Sequence, residues 1–256
     1  MQKKFVAFLD ILGFKDLVEN NSAEALTAIY SEALAFAYSR SIEILDNDLR
    51  YGDQKINSLI VSDSILFWSE NNDVLSFSKM IVILHAFMFA AITEGIPLRG
   101  ALEYDELVEV SPPNISKNLT NTTPIILGKA LVKGYTKESK QNWAGCTVSS
   151  ECIERVTQQL KGNKEIELLD EFGYIIKYKV PYKNGAMKEE MVINWPKILH
   201  FKPDPARVRA SFKLHSKNVD DWDVENKIRN TLDFLEFSWL TKTFHVGNLK
   251  GIDSKL

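Results

Sequence analysis

The stretch Phe5-Val6-Ala7-Phe8-Leu9-Asp10-Ile11-Leu12-Gly13, followed at once by Phe14 and Lys15, decides the fold. An apolar run of this length, with valine and aromatic side chains, has the pattern of a fully buried strand. Asp10 falls where that strand stops. An unpaired carboxylate buried there costs roughly several kcal/mol unless a cation offsets it. Gly13 lets the backbone turn tightly just afterwards. A carboxylate at a strand tip beside a glycine turn is well placed to hold a divalent cation and a phosphate, which points to nucleotide chemistry.

Working outward, residues 23–45 carry Leu26, Ile29, Tyr30, Ala33, Leu34 and Ala37 at helical spacing. They predict an amphipathic helix, N-capped by Asn21 or Ser22. Residues 56–61 and 64–68 read as two strands of a hairpin turning at Ser62-Asp63. Residues 75–93 form a second, more apolar helix ended by Gly95 and Pro97, and residues 98–110 return as a strand. Residues 111–123, rich in Pro, Asn, Ser and Thr, read as a loop. A helix over 128–141 and a short strand at Cys146-Thr147-Val148 follow. The order β-α-β-β-α-β predicts an α+β, ferredoxin-like core: an antiparallel sheet with helices on one face. Beyond Ser150 the pattern becomes a meander, with strands at 166–169, 174–180 and 190–194, a turn at Lys183-Asn184-Gly185, and an amphipathic helix over 223–240. Residues 1–150 are therefore expected to be the catalytic domain. Residues 151–256 are expected to be an extension packed on it, able to support a dimer.

Composition narrows the function. Hydrophobic residues make up 45% and charged residues 25%, as in ordinary folded domains. A formal net charge of −3 offers no basic excess to drive broad nucleic-acid or anionic-membrane binding. Any polyanionic ligand must then be met by local cations or a metal. Cys146 and Cys152 lack metal-site spacing and read as reduced, packing thiols. The N-terminal residues lack the features of a signal peptide, and the apolar run 80–92 is too short to span a bilayer. A cytoplasmic protein is expected. No G-x-x-x-x-G-K-[ST], G-x-S-x-G or H-E-x-x-H occurs, and the four histidines are scattered.

Four constellations carry chemistry. Asp10 and Asp63 both end strongly apolar strands that the predicted fold makes neighbours. Two converging carboxylates repel unless Mg²⁺ or Mn²⁺ sits between them, although a turn cap and a hairpin residue would look the same in isolation. Ile11, Gly13, Phe14 and Lys15 belong to a turn whose amides can cradle an anion. Arg99 lies in an otherwise apolar strand and needs an anion, either a polyphosphate or a neighbour such as Glu103. Lys129, Lys133 and Lys137 recur at i, i+4 as a basic stripe, which is either a solvated face or one turned toward a triphosphate across a dimer.

Phe8-Leu9-Asp10-Ile11-Leu12-Gly13-Phe14 resembles the F-x-D-I-x-G-F signature of class III nucleotidyl cyclases. Ser62-Asp63-Ser64 falls where that family's hairpin carries its second metal aspartate. Residues 128–139, with Thr147-Val148-Ser149, are similar to its helix-then-strand segment. The likeness covers about residues 4–150. Val132 and Thr136 occupy the positions of the family's transition-state Asn and Arg, so that pair is missing. Leu59 stands where purine cyclases often carry a base-reading Lys. A divergent branch resembles this chain more: the bacterial pyrimidine cyclases of Pycsar antiphage defence, which share the L-D-I-L-G-F opening and lack the Asn/Arg pair.

The resemblance implies a homodimer with active sites at its interface, converting UTP or CTP to a cyclic monophosphate that signals in antiviral defence. Asp10, Asp63 and the Ile11 carbonyl would hold two Mn²⁺ or Mg²⁺ ions, and Tyr51 would read the pyrimidine. Arg99, Lys129 or Lys133 would replace the missing Arg. A purine cyclase, or a cyclase-like module that binds nucleotide without turnover, are the alternatives.

Overall fold

The protein is described by a computed structural model covering residues 2–46, 54–110, 124–160, 173–197 and 202–241. Strand β1 (Gln2–Ile11) lies between β3 (Ser64–Ser69) and β4 (Leu98–Val110), antiparallel to both. The hairpin partner β2 (Ile56–Val61) takes the edge. The order β2-β3-β1-β4, with helical connections from β1 to β2 and from β3 to β4, is the split ferredoxin-like arrangement the sequence predicts.

Beyond β4 the sheet continues through β6 (Cys146–Val148), which is parallel to β4, then β8 (Met187–Ile193) and β7 (Ile175–Pro181). A short strand, β5 (Ile125–Leu127), pairs with the far end of β4. Among the described residues this makes one eight-stranded sheet, joined by strands on both sides of Ser150.

Alternation along β1 explains its composition. Phe5, Ala7, Leu9 and Ile11 are buried in the main core with Phe77, Met80 and Ile81 of helix α4 (Val74–Thr93). Val6 lies on the other face, in a small cluster with Trp68, Leu107 and Ala130. Ala130 belongs to helix α5 (Lys129–Glu138), so α5 covers the face opposite α4. Helices on one face only, as the strand order suggested, would have left Val6 and Phe8 in water. Instead Phe8 packs edge-on against Tyr135 of α5, 5.8 Å between ring centroids.

The chain from β1 to β2 begins with helix α1 (Phe14–Glu19). It continues as α2 (Ala23–Ile29), a π-helical turn at Tyr30–Leu34, and α3 (Ala35–Asp46). Ser22 is the N-cap, its side chain accepting from the Ala25 amide. Helix α4 is 20 residues long, enough by length and composition to cross a bilayer, yet 83% of its apolar window is buried inside the protein. The helix expected over 75–93 begins one residue earlier, at Val74.

Three helices complete the described chain: α6 (Ser150–Leu160), α7 (Pro205–Ser211) and α8 (Trp222–Leu240). Neither α6 nor α7 was expected. The expected loop at 111–123 and strand at 166–169 lie outside the described residues.

Gly100 marks the closest approach of β4 to β1. A Cβ there would overlap Leu9 Cδ2 and lie 2.8 Å from the Phe8 carbonyl oxygen. Gly100→Ala should therefore destabilise the protein by about 1–3 kcal/mol, read as a lower urea midpoint. An unchanged midpoint would show that the two strands can separate at no cost.

Candidate active site

The site sits where β1 ends. Asp10 is opposite Arg99 on β4 and opposite Ser64 on β3, the residue after Asp63. The Ile11 amide donates to the Asp63 carbonyl at 2.9 Å, which fixes the β2–β3 turn against the end of β1. Ser62 opens that two-residue turn at φ 58°. The negative charge of Asp63 is felt at Asp10, so the two carboxylates do share one end of the sheet.

Arg99 is 7% exposed. Its Nη2 donates to Asp10 Oδ2 at 3.2 Å and its Nη1 to the Gln141 carbonyl at 3.1 Å. Its Nε donates to Glu138 Oε1 at the end of α5. The expected partner Glu103 is not among these contacts. It lies four residues along β4, opposite Val6, and the anions Arg99 meets are Glu138 and Asp10.

Burial pushes the Asp10 carboxyl up to about 7; Glu138 and Asp63 push the same way, and Arg99 opposes them. Glu138 is also raised, by burial first, with Arg99 drawing it back. Asp10 and Glu138 thus share one guanidinium, with the charge of Asp63 felt nearby.

Gly13 takes φ 77° and leads directly into α1. That helix has six residues, so its dipole is small and any cradle rests on the turn's own amides. Phe14 packs against the core, whereas the Lys15 side chain is 82% exposed and lies 3.9 Å from Glu19. Leu12 is held by its amide, which donates to the Pro97 carbonyl at 3.0 Å. Tyr51 lies outside the described residues.

Lys129 and Lys133 are not near Asp10 within one chain. Lys129 pairs with Glu106 at 3.0 Å, and Lys133 with Asp105 at 2.7 Å. Asp105 is opposite Lys4, six residues along β1 from Asp10, about 20 Å at strand rise. The stripe therefore faces acidic residues of its own chain, Lys137 reaching Glu190 at 2.6 Å. A groove of about 720 Å³ runs beside it, lined by Glu103, Lys133, Lys137 and Tyr182. Val132 and Thr136, the positions of the missing Asn and Arg, line it too.

Residues that sequence reasoning passed over complete the site. Glu138 lay inside the quoted lysine segment, but nothing local marks it as the partner of a strand 39 residues earlier. Tyr30, at the start of the π-helical turn, donates its hydroxyl to the Ser62 carbonyl at 3.3 Å. Its phenol is pushed up to about 12 by burial and by Asp63. No local sequence signal marks it, because the apolar spacing of the π-helical turn passes for an ordinary helix.

Neither a protein-family model nor a curated protein matches the sequence. Solved structures with a similar chain course include the adenylyl cyclase CyaB from P. aeruginosa, 15% identical over 75% of this chain and 94% of that one, TM-score 0.40. Another is a bacterial light-regulated adenylyl cyclase, 11% identical over 91% of this chain and 57% of that one, TM-score 0.45. A third is the guanylyl cyclase domain of the RhoGC fusion protein from the aquatic fungus Blastocladiella emersonii, 13% identical over 75% and 94%, TM-score 0.46. Likenesses this shallow carry no functional argument, which must come from this chain's own residues.

Glu103 gives a pH test of this electrostatic landscape. Burial raises its carboxyl to about 7, Glu151 adds to the rise, and Lys137 and Lys133 oppose it. The folded chain holds this proton more tightly than the unfolded one. Its contribution is present at low pH and lost as pH rises through about 7. Glu103→Gln should leave stability near pH 4 little changed and raise it at pH 8, measured by urea denaturation. Equal gains at both pH values would contradict the shift.

Proposed function

We propose that this chain is a metal-dependent nucleotidyl cyclase, closing a nucleoside 5′-triphosphate to its 3′,5′-cyclic monophosphate and releasing pyrophosphate. The observation that carries the reading is the meeting of Asp10 and Asp63, at the adjoining ends of β1 and the β2–β3 turn, beside the Gly13 turn. Hard oxygen donors of this kind suit Mg²⁺ or Mn²⁺. Among the described residues no group of three or more acidic, His or Cys side chains is gathered for a metal. Two carboxylates and the Ile11 carbonyl make an incomplete shell, as expected where substrate phosphates supply the remaining ligands.

When bound, such ions would lower the pKa of the ribose 3′-hydroxyl and offset charge on the phosphates. The hydroxyl oxygen would then bond to the α-phosphorus as the bond to the departing pyrophosphate breaks, its proton passing to solvent or to a pyrophosphate oxygen. In this chain Asp10 and Asp63 would hold the ions, and Arg99 fixes the Asp10 carboxylate in place. The amides of Gly13, Phe14 and Lys15 would receive the pyrophosphate, those of Ile11 and Leu12 being taken by the Asp63 and Pro97 carbonyls.

Within this class we read the substrate as UTP or CTP. Support comes from the Leu9–Phe14 opening and from Val132 and Thr136 in place of the Asn/Arg pair. The same likeness supports a homodimer with sites at its interface, and a cyclic pyrimidine product that signals in antiviral defence.

The test is incubation of the purified chain with Mn²⁺ and each of the four nucleoside triphosphates, followed by identification of cyclic products. Cyclic UMP or cyclic CMP is expected, and Asp63→Asn should lower its formation by at least a hundredfold without moving the thermal transition. Cyclic AMP or GMP alone would replace the pyrimidine assignment. No product from any triphosphate would overturn the cyclase reading.

A further inference from the structure

The backbone wraps Arg99 in a strap, residues 139–145, that ties the site to the C-terminal half of the chain. The Gln141 carbonyl accepts from Arg99, and Gln141 forms a bridge with Tyr182 at the end of β7. The next residue, Lys183, donates its amide to the Lys140 carbonyl at 2.9 Å, and the Asn142 amide donates to Pro181 at 2.9 Å.

Helix α8 approaches the same strap from the other side. Asn230 donates to the Asn142 carbonyl at 2.7 Å, and the Ala144 amide donates to Thr231 Oγ1 at 2.8 Å. Thr231 Oγ1 in turn donates to the carbonyl of Lys227, one turn earlier on α8. The strap therefore brings Lys183 and Lys227 to the Arg99 end of the sheet from two separate elements.

Their electrostatics agree with that placement. Partial burial and then the Arg99 guanidinium push both ammonium groups down, while Asp10 pushes both back up. Each lysine thus lies within the field of Arg99 and Asp10, and Lys183 also feels Lys227. Glu138 supports the Lys183 charge, and Asp221 and Asp223, the N-cap and first turn of α8, support that of Lys227, but among the described residues neither lysine comes within ion-pair distance of a carboxylate. Arg99, by contrast, already spends its fork on Asp10, Glu138 and Gln141. Two uncommitted cations converging on a filled guanidinium repel one another, an arrangement that a multivalent anion would relieve.

We propose that Lys183 and Lys227 form a clamp for a polyphosphate chain at the Asp10 end of the sheet. Two cations contributed by residues after Ser150 would thereby perform the charge neutralisation that Lys129 and Lys133, at the far end, cannot perform within one chain. The identity of that polyphosphate as a nucleotide's rests on the cyclase reading; the clamp itself does not.

Titration calorimetry of the full chain with inorganic tripolyphosphate and Mg²⁺ tests it without any turnover. The wild type should bind, and Lys183→Gln and Lys227→Gln should each weaken binding by roughly tenfold, the double variant by more. Lys227→Arg should keep the affinity, separating charge from packing. Lys179→Gln, on the exposed side of β7, should bind as wild type. A wild type that does not bind, or a double variant that binds equally well, overturns the clamp. Cyclic-product assays on the same proteins keep the two readings apart. Tripolyphosphate binding lost with both lysines, in a chain that makes no cyclic product, supports the clamp and removes the cyclase. Undiminished product from the double variant overturns the clamp and leaves the cyclase standing.

Discussion

The Arg99 guanidinium, almost wholly buried between the end of β1 and the end of α5, is the constraint around which the site is built. A buried cation is tolerated only with its donors filled, and here each arm has an acceptor: Asp10, Glu138 and the Gln141 carbonyl. Gln141 is fully buried and held in turn. Its side chain donates to the Gly100 carbonyl and accepts from Trp143 Nε1. Glu138 sits at a helix C-terminus, where the macrodipole disfavours a negative charge, so Arg99 also stabilises the end of α5. One side chain thus couples β1, β4, α5 and the strap. Burial is the main reason the Asp10 carboxyl is pushed up, and Glu138 and Asp63 add to it against the pull of Arg99.

Most of the core architecture was legible because it depends on local periodicity. The run from Phe5 to Ile11 is apolar at every position but Asp10, and the structure explains this: α4 covers one face and α5 the other. Strand order followed from the succession of elements. The π-helical turn at Tyr30–Leu34 was not legible, since its apolar spacing passes for an ordinary helix. Helix α7 is too short for periodicity to register, and β5 is three residues of strand paired to the far end of β4. Such pieces exist by tertiary pairing, which leaves little trace in a window of neighbouring residues.

For the candidate site, the sequence points to two aspartates and passes over their neighbours. Asp10 and Asp63 stand out because each ends an apolar strand, and a charge there demands a reason. The lysine stripe stayed open between two readings because helical spacing tells which residues share a face but not how far along the sheet that face lies. The β1–β4 register supplies that distance and pairs the stripe with Asp105 and Glu106. Glu138, Lys183 and Lys227 are ordinary charged residues in their own neighbourhoods. Only the strap, itself a product of long-range backbone pairing, brings them together.

The same logic applies on the other side of Asp10. His215 and Ser216 take φ 62° and 59°, a left-handed conformation that non-glycine residues enter at a cost. Asn21 and Asn20 hold them there by donating to their carbonyls, each at 2.8 Å. This bend delivers Lys217, whose side chain occupies the space a Gly13 Cβ would need and whose Nζ donates to the Gly95 carbonyl at 2.6 Å. Burial lowers that ammonium to about 7, with Asp16 the one charge opposing the shift. A strained bend and a buried lysine both destabilise the folded chain, and their return is a fixed Gly13 turn beside the two aspartates. Residues beyond Ser150 therefore brace the site at both ends, through Lys217 at the turn and through the strap at Arg99. Sheet and site are completed together by the C-terminal half of the chain.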